Sequence, residues 1–110
     1  MIYQHKSLAA GGWDKLSLVE QMANIGSEVE RALSWRSKKN EDYARRALER
    51  ALELIDLSLG CHKSYARLKE FARMREALVD DFFGTNQWMT SEASWRKYFS
   101  PFFFASRRYC

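Results

Sequence analysis

A thiol beside an imidazole can supply a nucleophile with its base, or two ligands to a metal, and Cys61-His62 is that pair in this chain. The spacing argues against both uses. Adjacent side chains on a helix or turn diverge, and no third group stands where it could orient the imidazole. A zinc site needs a second ligand pair, and the remaining histidine and cysteine, His5 and Cys110, lie at the two ends of the sequence. The expectation is a cysteine at a helix end followed by a loop histidine. Glu49, Glu53 and Asp56 recur at four and three on one helix face. A carboxylate-bridged metal bundle would add Glu-x-x-His pairs, and neither histidine stands three positions after a glutamate. These acids read as a solvated stripe or as partners for a neighbouring helix. No metal and no cofactor is implied, no phosphate-binding loop is present, and the expectation is a protein without enzymatic activity.

Arg75 is the cation most in need of explanation. It shares the core-facing spacing of Leu68, Ala72 and Val79, and an arginine so placed needs a carboxylate. Glu49, Glu53 or Asp56 could provide it, so Arg75, Glu49, Glu53 and Asp56 mark the expected place for a polar pocket.

The segment Trp95-Arg-Lys-Tyr-Phe-Ser-Pro-Phe-Phe-Phe-Ala-Ser-Arg-Arg-Tyr-Cys110 interleaves aromatic rings with cations. Rings that stack on bases and cations that meet phosphates are the equipment of single-stranded nucleic-acid binding. The same residues also fill a core as a last helix. Phe102, Phe103 and Phe104 cannot share one helix face, so at least one ring must meet solvent, a partner or the N-terminal arm. An exposed aromatic patch marks a protein interface more often than a nucleic-acid platform. Trp88, Trp95, Phe102, Phe103, Phe104 and Tyr109 are therefore the candidate interface, for another copy of the chain or for another protein. Arg96, Lys97, Arg107 and Arg108 are the alternative, for RNA or single-stranded DNA. Arg36, Lys38 and Lys39, with Lys63, Arg67, Lys69 and Arg73, could form a second basic surface, though acids such as Glu70 stand nearby.

These residues sit on a helical plan. Ser17-Leu-Val-Glu20 has the form of a capping box, and Leu18, Met22, Ile25, Val29 and Leu33 continue as one helical stripe. Ala23 and Gly26 are small and three apart, which allows close approach of another helix. The first helix runs out near Arg36 to Lys39. Asn40 caps a second, whose apolar face runs from Tyr43 through Ala44, Ala47, Leu48, Ala51, Leu52 and Ile55 to Leu59, with Gly60 as its stop. Ser64 opens a third, with Tyr65, Leu68, Phe71 or Ala72, Arg75, Leu78, Val79 and Phe82 as its stripe and Gly84 as its end. A polar connection carrying Trp88-Met89 leads to a fourth from Thr90 or Ser91, in which Pro101 predicts a kink or break near Phe99–Ser100. Short connections make successive helices antiparallel. The fold expected is all-α: an up-and-down four-helix bundle over residues 17–110, preceded by an arm over 1–16 from which Trp13 could fold back.

Composition agrees. In 110 residues there are one Pro and five Gly, with 46% hydrophobic and 15% aromatic residues, too apolar for disorder and too poor in turn formers for a β-sandwich. The net charge of +4 permits an acidic partner without requiring one. Two cysteines make no disulfide framework, and no apolar run is long enough for a membrane span. Met1-Ile-Tyr-Gln-His-Lys lacks a signal-peptide core. A cytoplasmic location with no membrane partner is the resulting expectation.

The stretch from Leu16 through Phe83, with Glu20-Gln-Met-Ala-Asn-Ile-Gly-Ser-Glu-Val-Glu-Arg and Ala47-Leu-Glu-Arg-Ala-Leu-Glu-Leu-Ile-Asp-Leu, resembles small uncharacterised microbial helical proteins. The layout is also similar to the HEPN class of four-helix proteins, which includes ribonucleases and partners of nucleotidyltransferases. The ribonucleases of that class carry an arginine, four to six residues, then a histidine. No arginine stands at that distance before His62, and none precedes His5. The resemblance therefore implies an architecture and, as a further alternative, a binding role of the antitoxin or adaptor kind. The leading expectation is a helical interaction protein that works through its aromatic C-terminal region.

Overall fold

The computed structural model describes residues 12–61 and 64–108. Four helices, α1 (Leu18–Ser37), α2 (Glu41–Gly60), α3 (Tyr65–Phe83) and α4 (Glu92–Arg108), follow a short 3-10 turn at Trp13–Lys15. Together they form an all-α four-helix bundle.

Polar side chains start every helix where the sequence places them. Ser17 Oγ accepts from the Glu20 backbone N–H at 3.1 Å, and the Glu20 carboxylate accepts from that of Ser17 at 3.1 Å, closing the capping box. Asn40 accepts from the N–H of Tyr43, and Ser64 from that of Arg67. At α4, Ser91 and Ser94 cap one another's backbone N–H groups at 2.8 and 3.1 Å. Lys39 adopts a positive φ of 61°, so the chain reverses out of α1 through a left-handed residue with Asn40 N–H bonded back to the Trp35 carbonyl.

The stripes then meet. Met22, Ile25, Val29 and Leu33 of α1 pack against Ala47, Leu48, Ala51, Leu54 and Ile55 of α2 in one core. α3 contributes Phe71, Met74, Ala77 and Leu78, and α4 contributes Trp95 and Phe99. This differs from the expected α3 stripe. Tyr65 is exposed, Arg75 is half-buried, and Met74 with Ala77 take the inward places. α3 packs its backbone most closely on α2, and its buried arc centres on Met74, about 100° round the helix from Arg75.

Two further findings concern the ends of the chain. Trp13 belongs to the core: its indole N–H donates to Ser58 Oγ at 2.8 Å, and its carbonyl accepts from the Gln21 side chain at 3.0 Å. Of the kink or break expected at Pro101, the break does not occur: α4 is one helix from Glu92 to Arg108 with Pro101 inside it. Pro101 is exposed, so the Lys97 carbonyl that loses its helical donor can turn to water.

Candidate docking groove

The packing order decides where an opening can exist. α1 packs closely on α2, α2 on α3, and α4 on α1. α3 and α4, the remaining pair of neighbours, have no comparable approach of their backbones. Gly26 explains the bias of α4 toward α1. A β carbon there would stand 2.8 Å from Phe99 Cδ1 and 2.8 Å from Phe103 Cζ, so the missing side chain is the seat for both rings. The Arg96–Glu30 ion pair, at 3.0 Å, holds the same seam from outside.

The α3–α4 seam is bridged by side chains instead. Trp95 Nε1 donates to Asp81 Oδ2 at 2.8 Å, and Arg36 reaches the same carboxylate at 3.0 Å while its guanidinium lies over the Phe82 ring. The Tyr98 hydroxyl donates to Glu70 Oε1 at 2.7 Å. Burial first, and then that hydrogen bond, raise the Tyr98 pKa well above the usual tyrosine range, so the phenol stays neutral.

Between these bridges lies a groove of about 550 Å³. That volume is within the usual range of binding pockets. Its α3 wall carries Ala66, Lys69, Glu70, Arg73 and Ala77, its floor Met74 and Trp95, and its far wall Ser94 and Tyr98. Trp88 stands at one end, 48% exposed.

The loop that carries Trp88 is ordered by its own bonds. The Asp80 carbonyl accepts from the N–H groups of Gly84 and Asn86, and the Asp80 carboxylate accepts from the Trp88 N–H at 3.0 Å. The Asn86 side chain clasps Thr90 from both sides, donating to its carbonyl and accepting from its N–H. Asn86 and Met89 both take positive φ, 56° and 54°. For asparagine that is ordinary, but for Met89, 86% exposed, it is a strained conformation that buries nothing. The loop presents two large apolar side chains to solvent in a fixed geometry.

The candidate interface residues thus separate. Trp88 and Phe104, 68% exposed, meet solvent. Trp95 does not: it is 5% exposed, because its indole turns inward to Asp81 and stacks toward Phe99. Phe103 is half-buried over Gly26, and Phe102 packs beside Tyr98. Tyr109 lies outside the described residues, as do Lys63, His62 and the side chains of Arg107 and Arg108. Of the alternative nucleic-acid cations, Arg96 is engaged by Glu30 and Glu92, its pKa raised first by the hydrogen bond to Glu30, and Lys97 is exposed. Arg75 takes Asp56 at 2.8 Å, and that hydrogen bond raises its pKa. Glu49 is exposed and Glu53 buried, so the polar pocket expected around Arg75 is replaced by a half-exposed surface pair. The sequence reading missed the groove and Lys69, Arg73, Met74 and Tyr98 as its parts. The signal available was the pair Lys69 and Arg73, like charges one turn apart on a helix.

Cys61 caps the end of α2, and its thiol donates toward the Asp14 carboxylate and lies 3.2 Å from the Leu57 carbonyl. Among the described residues no group of His, Cys, Asp and Glu could hold a metal, and no helix is long and apolar enough to cross a membrane. No family model matches the chain, and no match is found among the curated proteins or the solved structures.

Proposed function

We propose that the protein is a non-enzymatic interaction domain whose α3–α4 groove receives a segment of a partner protein, with Trp88 as the anchor at its mouth. The observation that carries this reading is the fixed Trp88 loop. A half-exposed tryptophan beside an apolar floor of Met74 and Trp95 is costly to leave in water, and the bond from its backbone N–H to Asp80 lowers the backbone ordering that binding would otherwise cost. Tryptophan is also the residue most enriched among interface anchors. The reading keeps the interface in the Trp88–Tyr109 region but moves its centre from the α4 rings to the seam.

Isotope-labelled protein with Trp88→Ser as the control provides the test. Partners captured by the wild-type chain should perturb the backbone signals of α3, the Trp88 loop and the start of α4, and capture should fail with the folded variant. Partners that bind the variant equally well, or that perturb only α1 and α2, would refute the groove as the docking site. Self-association, read by native mass spectrometry, is the outcome in which the captured partner is a second copy.

A further inference from the structure

Resting on the reading of the groove as a docking site, we infer that its occupant is an acidic amphipathic helix of a partner protein, which lays an apolar stripe over Met74 and Trp88 and sets carboxylates against Lys69 and Arg73. The argument begins with the two cations. Both line the α3 wall, both are exposed, and neither makes an ion pair among the described residues. Arg31, Arg36, Arg50, Arg75 and Arg96 are matched to carboxylates; Arg45, Arg46 and Arg67 are exposed and make no ion pair among the described residues, so what distinguishes Lys69 and Arg73 is that both line one groove. Like charges one turn apart repel and weaken α3 on their own. The acid of the same wall, Glu70, accepts from the Tyr98 hydroxyl and makes no ion pair with either cation. Carboxylates from outside would be complementary to both cations.

Shape supplies the rest. Ala66 and Ala77 bound the α3 wall, and small side chains let another backbone come close. The distance between them along α3 is about 16 Å, three helical turns. An apolar floor with a charged wall on one side is the negative of a helix that is apolar on one stripe and acidic beside it, the helix-in-groove mode of recognition. Lysine and arginine on that wall disfavour a basic helix by the same interaction.

The test is a selection from a displayed library of random peptides of about 19 residues, long enough to fill the wall with a turn at each end, using the full chain as bait. Three baits are compared: the wild-type protein, Trp88→Ser, and the double variant Lys69→Glu with Arg73→Glu. All replaced residues are exposed, and a preserved amide spectrum verifies each fold. Wild-type selection is expected to enrich peptides with apolar residues at i, i+3 or i+4, and i+7, flanked by Asp or Glu. The best of these should bind Trp88→Ser at least about tenfold more weakly, and the double charge variant should enrich Lys and Arg in their place. Trp88-dependent peptides indifferent to the charge reversal would overturn the acidic occupant and leave the docking groove standing. Failure to enrich any Trp88-dependent peptide would overturn both. A titration with laurate covers the remaining chemistry: displacement of the selected peptides by the fatty acid at micromolar concentration would reassign the groove to a small anionic amphiphile.

Discussion

Phe99 stands over Gly26 so closely that a β carbon on the glycine would lie 2.8 Å from its Cδ1. The contact joins α4 to α1, and it sets how far α4 can stand from α3. Gly26→Ala should raise the intrinsic helix propensity of α1 by about 1 kcal/mol. It should also force an overpacked contact on a ring that is almost wholly buried, at a cost of about 1–3 kcal/mol. The expected result is a net loss of about 1 kcal/mol in urea denaturation, in spite of the better helix former. A net gain would mean that α4 is free to shift outward.

Asp81 is the counterpart on the other seam. Its carboxylate serves Trp95 Nε1 and Arg36 together, with only 6% of its side chain exposed. Asp81→Ala should leave the indole N–H without its acceptor and Arg36 without its charge partner, a loss of about 2–3 kcal/mol. Asp81→Asn keeps an acceptor for the indole and should cost less. Equal losses for the two variants would mean that charge, rather than the hydrogen bond, secures the seam.

Much of this fold is legible locally. Ser17 with Glu20, Asn40, Ser64 and Gly84 mark helix ends because capping chemistry depends on residues within one turn. The small side chain of Gly26 foretells a close crossing, and the run Phe102-Phe103-Phe104 foretells an exposed ring, since three consecutive residues span most of a helix circumference. The groove is not legible in that way. It exists because two helices fail to close, and that depends on volumes summed over three seams. The period of α3 alone places Arg75 inward, but only the packed bundle shows α3 packed most closely on α2, so that Met74 and Ala77 go in and Arg75 turns to Asp56. Trp95 and Trp88 read alike in sequence. What separates them is Asp81 on one side and a loop folded on Asp80 on the other.

Trp13 tests how far the bundle depends on the chain before α1. Its indole is almost wholly buried and bonded to Ser58, which is itself buried in α2. Trp13→Ala should therefore behave as a core truncation, with a loss of about 3–5 kcal/mol. Thermal melts of this variant and the wild type decide the matter. A variant that melts within a few degrees of the wild type would place Trp13 outside the cooperative core.

Tyr98 makes the seam sensitive to alkali. Its folded pKa is raised above the ordinary value of 10.0 by burial and by the bond to Glu70. Its contribution to stability is thus complete below the unfolded value and falls as pH rises from there toward the folded one. The unfolded state releases the proton first, and unfolding gains from each further step in pH. Stability measured from pH 9 to 11.5 should fall more steeply in the wild type than in Tyr98→Phe, with the remaining tyrosines common to both. Parallel curves would show that the phenol ionises as freely in the folded chain as in the unfolded one.

Asp80 should matter to binding more than to folding. Its carboxylate fixes the Trp88 N–H at 3.0 Å, while its carbonyl holds Gly84 and Asn86 through backbone bonds that a substitution preserves. Asp80→Ala therefore removes one partly exposed hydrogen bond, a loss of about 1 kcal/mol in denaturation. The same change frees the segment that carries Trp88, so the ordering that the loop now has in advance must be supplied at the moment of docking. Faster exchange of the Trp88 amide is expected, together with peptide affinity several-fold weaker through a slower association rate. Asp80→Asn, which keeps an acceptor in place, should restore both. Rescue of the exchange rate without rescue of affinity would separate the order of the loop from its role in binding, and would point to the Asp80 charge instead.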